Sequence, residues 1–166
     1  MATKSESPYI VNPNRLADVI AAIQAMALYE FHMRSFDKWA ESISGDKSKA
    51  DYWKKIFEEH PEFFRLDTTR KLASLVWRRQ YPKRYHVDLQ QTLTESESEA
   101  LPSDQKSRLS RPPLAPPDIK TLLDAAINLH SRAVELRRES RWWVPLAGAI
   151  GGLVGSLVGG LLKASL

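Results

Sequence analysis

The residue types that most often carry catalysis or bind metals are sparse in this chain of 166 residues. Cysteine is absent, which excludes disulfides, thiolate metal ligands and cysteine nucleophiles. The histidines lie far apart and none has the HExxH spacing of a zinc site. They are His32, His60, His86 and His130. A phosphate-binding glycine loop is excluded as well, because Gly45 is the only glycine before residue 148.

Carboxylates could supply acid–base chemistry in two places, and neither place is convincing. Glu58, Glu59 and Glu62 flank His60 and could be imagined as a metal site, but solvation of a helix surface explains them better. The TESESE run (94–99) lies in a polar segment that cannot hold two carboxylates in a fixed pair. We therefore expect no enzyme, no metal and no cofactor.

Binding chemistry is concentrated in one basic stretch, 65–86, which has seven basic side chains against one carboxylate. The basic residues are Arg65, Arg70, Lys71, Arg78, Arg79, Lys83 and Arg84. Trp77, Tyr81 and Tyr85 are interleaved with them, so the stretch has charge for phosphate contacts and rings for base stacking. The sequence predicts a site for a polyanion or an acidic partner, with nucleic acid, anionic headgroups and protein left open.

The elements that would position this stretch are three helices and a hairpin within 13–86. Apolar residues recur at helical spacing after Pro13, after Ser35 and after Ser48, and Gly45 is a plausible helix stop. Residues 63–66 and 72–77 have the composition of two short strands, with a turn at 67–70. This stretch, KADYWKKIFEEHPEFFRLDTTRKLASLVWRR, resembles the third helix and wing of winged-helix modules, a likeness that covers 35–79.

The winged-helix resemblance implies DNA binding through the third helix, but the charges of that helix argue against it. Its four lysines are balanced by four carboxylates, whereas a helix that enters a DNA groove normally has net positive charge.

The remainder divides into a disordered N-terminus (1–12), a flexible linker (87–115), a helical stalk (116–141) and a C-terminal segment (142–166). Serines, prolines and charges without apolar periodicity predict the linker. The stalk begins at a Pro-Pro-Asp helix start. Its heptad-like seam predicts either an oligomer contact or packing on the N-terminal domain. The seam is formed by Ile119, Leu122, Ala126, Leu129, Ala133 and Leu136.

The C-terminal segment predicts a single transmembrane anchor. Residues 144–162 are uncharged, and as a helix they span about 28 Å, close to the thickness of a bilayer core. The membrane-interface residues would be Trp142, Trp143, Arg137, Arg138 and Arg141. The arginines precede the span and only Lys163 follows it, which predicts an inner-membrane, single-pass protein with a cytoplasmic N-terminus.

Small residues repeat every fourth position in this segment on two tracks, a pattern that lets helices approach closely. The tracks contain Gly148, Gly152, Ser156 and Gly160, and Gly151, Gly155 and Gly159. We expect a mainly α, membrane-anchored homo-oligomer that acts as an interaction or scaffold protein and presents the basic module. The alternatives are a membrane-tethered nucleic-acid-binding regulator and, with less support, a pore-forming effector.

Overall fold

Residues 7–139 are described by a computed structural model, and seven α-helices and six β-strands occur in this range. The helices are α1 (Pro8–Val11), α2 (Arg15–Leu28), α3 (Phe36–Ser44), α4 (Ala50–Glu59), α5 (Glu95–Ala100), α6 (Ser103–Lys106) and α7 (Pro116–Glu139). The strands are β1 (Met33–Ser35), β2 (Phe64–Leu66), β3 (Leu72–Leu75), β4 (Tyr85–His86), β5 (Gln91–Thr92) and β6 (Leu109–Ser110). Single 3₁₀ turns, Lys47–Lys49 and Trp77–Gln80, precede α4 and follow β3.

Local sequence determines where α3 ends and where the 3₁₀ turn after it begins. Gly45 follows α3 with φ +70°, a left-handed conformation in which glycine carries no Cβ penalty. The carboxylate of Asp46 then accepts the backbone N–H of Ser48 at 2.9 Å and so caps the 3₁₀ turn. α3 and α4 therefore meet at a short corner.

Two small antiparallel sheets flank the helices. The first has the strand order β1-β3-β2, and Ala73 of the central strand pairs with Arg34 on one side and Leu66 on the other. The second has the order β5-β4-β6, so that the chain beyond residue 86 returns twice to β4.

The hydrophobic core lies between α2, α3, α4 and the first sheet. Val19, Ile23 and Met26 of α2 are fully buried at helical spacing. Trp39 is fully buried as well, and its Nε1–H donates to the carbonyl oxygen of Ala73 at 2.9 Å. One indole thus satisfies its polar atom while joining α3 to the central strand.

A long helix in the 116–141 region is confirmed, but it is not a free-standing stalk. α7 packs against α2 and α1, with Leu122 and Ala126 buried. The backbone N–H of Leu114, just before α7, donates to the carbonyl oxygen of Ala27 at 2.9 Å. The first half of the heptad-like seam is therefore used inside the domain, whereas Leu129 and Leu136 remain exposed.

The prediction of a flexible linker is wrong, because residues 87–115 fold. They contain β5, α5, α6 and β6, and a capping box between Thr94 and Glu97 starts α5. An ion pair of 2.5 Å between Arg108 and Asp88 ties the two ends of this segment together. The serines and charges that predicted disorder act as caps and pairing groups. At the N-terminus, α1 forms within the stretch that the sequence predicted to be disordered.

The predicted winged-helix-like fold class is also wrong. The β2–β3 hairpin is not a projecting wing, because β3 is the central strand of a three-stranded sheet and an arginine in the hairpin turn bonds to α4. α1, α7 and the residues before α7 contribute to the same core, which makes the unit larger than the predicted 13–86.

A further correction concerns the membrane. None of the helices within 7–139 combines the length and apolarity that crossing a bilayer requires. Within the described residues, the predicted single-pass, inner-membrane protein with its transmembrane helix is therefore not supported. The proposed span 144–162, the glycine tracks and the predicted interface residues Trp142, Trp143 and Arg141 lie outside the described residues. Arg137 and Arg138 are exposed in the last turn of α7.

Candidate anion-binding groove

The turn between β2 and β3 is held by one carboxylate. Asp67 accepts the backbone N–H groups of Lys71 and Leu72, each at 2.8 Å, and the hydroxyl of Thr69. The Thr69 hydroxyl, together with these backbone donors, lowers the pKa of Asp67 to about 2. The carboxylate is therefore charged and occupied at neutral pH, and the turn is stiff.

Arg70 ends this turn in an unusual conformation. Its φ of +54° is left-handed, which costs a residue with a Cβ about 1 kcal/mol or more. Its guanidinium donates to Glu58 of α4 at 2.6 Å, so that the strained residue bridges the turn to the helix. The turn places this charge at the rim of a groove.

The groove has a volume of about 570 Å³ and follows β2 and the turn. Arg65 projects from β2 on the face opposite to the buried Phe64, and Arg79 lies on the 3₁₀ turn after β3. Both arginines are exposed and have no carboxylate partner among the described residues. The lining residues are Met33, Phe57, Glu58, Pro61, Phe64, Arg65, Leu66, Asp67, Thr68, Arg70 and Arg79.

The other residues of the predicted basic stretch do not line this groove. Lys71 is exposed in the turn next to it. Lys83 is exposed and Arg84 is half-buried, 3.7 Å from Glu95 at the start of α5. The groove thus gathers three of the seven predicted residues.

Arg78 is fully buried and stabilises the fold instead of lining the groove. Its guanidinium donates to the carbonyl oxygens of Met26 at 2.9 Å, Tyr29 at 2.5 Å and Glu30 at 3.2 Å, and also to that of Arg111. The last turn of a helix leaves carbonyls without intrahelical partners, and Arg78 supplies donors at the end of α2. Burial lowers the pKa of Arg78 to about 10. Arg78 cannot reach a ligand in this position.

Arg111, whose carbonyl oxygen accepts from Arg78, in turn donates to the backbone next to Arg78. Its guanidinium donates to the carbonyl oxygens of Arg79, at 2.8 Å, and of Tyr81. Ser110, the preceding residue, is fully buried and accepts the backbone N–H of His32 at 2.9 Å. Sequence reasoning missed both residues, because they lie in the predicted linker and no local pattern marks them.

Two of the three aromatic rings that the sequence offered for base stacking are engaged in the fold. Trp77 and Tyr81 pack against the core, and the Tyr81 hydroxyl donates to Asp118 of α7 at 3.1 Å. Tyr85 pairs with Thr92 and Ser110 in the second sheet. None of the three rings lines the arginine groove.

Comparison with known proteins gives no relative from which a function could be carried over. No protein-family model, no curated protein and no solved structure matches this chain.

Proposed function

We infer that this chain is a non-enzymatic interaction protein that binds an acidic segment of a partner protein in the arginine groove. The observation that carries the proposal is the position of Arg65 and Arg79, two exposed guanidinium groups in one groove without a carboxylate partner among the described residues. A guanidinium has five donors in a planar fork that matches a carboxylate, so two of them favour an anionic ligand.

The groove is preorganised for such a ligand. Asp67 is occupied by turn donors and Glu58 by Arg70, so the carboxylates of the lining are already used. Arg70 is held by this ion pair and by its left-handed backbone. A partner would therefore meet a turn whose backbone needs little ordering, which reduces the entropic cost of binding.

A peptide fits the groove better than a nucleic acid does. Met33 and Leu66 are partly exposed lining residues and give the groove apolar surface between its charges. Two of the three rings that could stack on bases, Trp77 and Tyr81, pack against the core, and α4 carries three carboxylates against two lysines. Acidic side chains alternating with apolar ones would use both kinds of surface.

Salt-dependent binding of the full chain tests this proposal. The probe is a fluorescent peptide of alternating glutamate and valine, compared with a DNA duplex and a single-stranded RNA by fluorescence anisotropy. Arg65→Gln and Arg79→Gln are each expected to weaken peptide binding about three- to tenfold. Lys83→Gln removes another exposed charge, which lies outside the groove, and is the matched control.

Three results would contradict the proposal. Peptide binding could be absent at low salt, it could be weakened equally by Lys83→Gln, or the nucleic acids could bind more tightly than the peptide with loss of binding in the groove variants. The third result would favour the nucleic-acid alternative. The homo-oligomer stays a prediction, which the mass of the full chain in solution tests.

A further inference from the structure

A second cleft, unrelated to the arginine groove, lies where α1 meets the end of α4 and the middle of α7. Its volume is about 380 Å³. It is lined by Ser7, Pro8, Tyr9, Glu59, His60, Glu62 and Leu129. Leu129 and Pro8 form apolar wall, and the remaining lining residues carry oxygen or nitrogen atoms. The cleft therefore combines a polar end with an apolar side.

Two deeply buried side chains line the cleft with polar atoms that lack a partner. His60 is 1% exposed and Tyr9 is 5% exposed. Neither the Nε2 atom of His60 nor the hydroxyl of Tyr9 has a hydrogen-bond partner among the described residues. Their rings pack against each other with centroids 4.6 Å apart. Buried polar atoms are usually satisfied, so two unpaired atoms on residues that line one cleft make it a candidate ligand site.

The hydrogen bond on the other side of His60 decides what its free nitrogen can do. Nδ1 of His60 lies 2.9 Å from Oε1 of Glu62. A carboxylate at this distance assigns the proton of the neutral imidazole to Nδ1, which leaves Nε2 as an acceptor. The carboxylate of Glu62, whose side chain is 38% exposed, also lines the cleft.

The other carboxylate of the cleft is anchored in a similar way. Glu59 lies 2.8 Å from Arg15, which is buried behind it, and 3.7 Å from Lys55. Burial and the charge of Glu62 raise the pKa of the Tyr9 hydroxyl far above neutral pH, so this group stays protonated. The lining thus offers two fixed carboxylates, one imidazole acceptor and hydroxyls.

We propose that this cleft binds a primary ammonium group, with its alkyl stem along Leu129 and Pro8. An ammonium has three donors and no acceptor, which matches a lining made almost entirely of acceptors. A metal ion is a poorer fit, because no group of three His, Asp or Glu side chains within 7–139 is placed to hold one. The ammonium could belong to a free amine or to a lysine side chain.

Titration of the full chain, labelled at histidine, with three probes tests the proposal by NMR. The probes are n-butylamine, Nα-acetyl-lysine methylamide and its Nε-acetylated form. The two amines are compared to distinguish a free amine from a lysine side chain, and saturable shifts of the His60 ring with either one support the site. The Nε-acetylated compound has no charge and is expected to leave the ring signals unchanged.

Single-residue variants distinguish a loss of amine binding from a loss of stability. Tyr9→Phe removes a hydroxyl with no partner in the described chain and is expected to weaken amine binding about tenfold without lowering the melting temperature. Glu62→Gln is expected to weaken binding at least as much. Tyr52→Phe is the control, because the Tyr52 hydroxyl donates to Asp18 outside the cleft.

Two outcomes would overturn the proposal. The first is no shift of the His60 ring at about 10 mM of either amine, a concentration above the dissociation constant expected of even a weak specific site. The second is equal binding of the Nε-acetylated compound, or equal binding by the Tyr9→Phe and Tyr52→Phe variants. Neither outcome bears on the arginine groove, since the two sites share no lining residue.

Discussion

Replacing Arg78 is expected to destabilise the fold strongly, whereas replacing its neighbour Arg79 is not. In Arg78→Met the side-chain volume is roughly kept, but the carbonyl oxygens of Met26, Tyr29, Glu30 and Arg111 lose their donor. The bond to Met26 is buried, and an unsatisfied buried carbonyl costs about 1–3 kcal/mol.

The total loss of stability in Arg78→Met depends on how well water can replace the guanidinium as a hydrogen-bond donor. The bonds to Tyr29, Glu30 and Arg111 are partly buried, so water recovers some of each. Removing the buried cation also returns part of its desolvation cost. We therefore expect Arg78→Met to lower the free energy of unfolding by about 3–5 kcal/mol, a large share of the ~5–15 kcal/mol of a typical domain.

Urea denaturation followed by far-UV circular dichroism and tryptophan fluorescence measures this loss. Arg79→Met is the matched control, because Arg79 is exposed and its removal should change stability by no more than about 0.5 kcal/mol. Arg78→Lys should fall between the two, since an ammonium cannot span the same four carbonyls. A loss below about 1 kcal/mol for Arg78→Met would refute the assigned structural role.

Three further predictions concern single residues. Asp67 has a pKa of about 2 in the folded chain against 3.8 ordinarily, so its contribution is complete above pH 4 and is lost as the pH falls through 2. Asp67→Ala should therefore be less stable at pH 6 and should converge towards wild type in acid-unfolding curves; parallel curves would contradict this. Burial, with the charge of Arg111 and its basic neighbours, lowers the pKa of His32 to about 4 from 6.5, so protonation favours unfolding between pH 6.5 and 4. His32→Gln should flatten the urea midpoint over that interval, and an unchanged pH dependence would rule the explanation out. Gly45→Ala meets no atom within 4 Å but must adopt φ +70°, and we expect a thermal-denaturation loss of about 1 kcal/mol; a stabilised variant would show that the left-handed cap is not required.

The longer helices α2, α3, α4 and α7 could be predicted because their signals are local. The apolar spacing of α2, the stop at Gly45 and the Asp67 turn each depend on residues within a few positions of one another. Three of the seven predicted basic residues meet in one groove. They do so because the β2–β3 hairpin, whose strands and turn the sequence predicted, brings them together.

Separation along the chain explains what could not be predicted. β1 pairs with a strand about forty residues later, and the contact of His32 with Ser110 joins positions 78 residues apart. The polar, serine-rich composition of 87–115 predicts disorder when the segment is considered alone. In the fold its hydroxyls and arginines meet donors and acceptors that distant segments leave unpaired.

Arg78 and Arg79 show where the boundary lies. The amino-acid sequence by itself determined that two cations stand side by side after a buried strand, and charge alone assigned both to a binding surface. Only the tertiary structure decided that one is buried beneath the end of α2 and the other lines the groove. The physical reason is that a guanidinium becomes structural only where unpaired carbonyls from remote segments converge on it, and that convergence is a property of the fold.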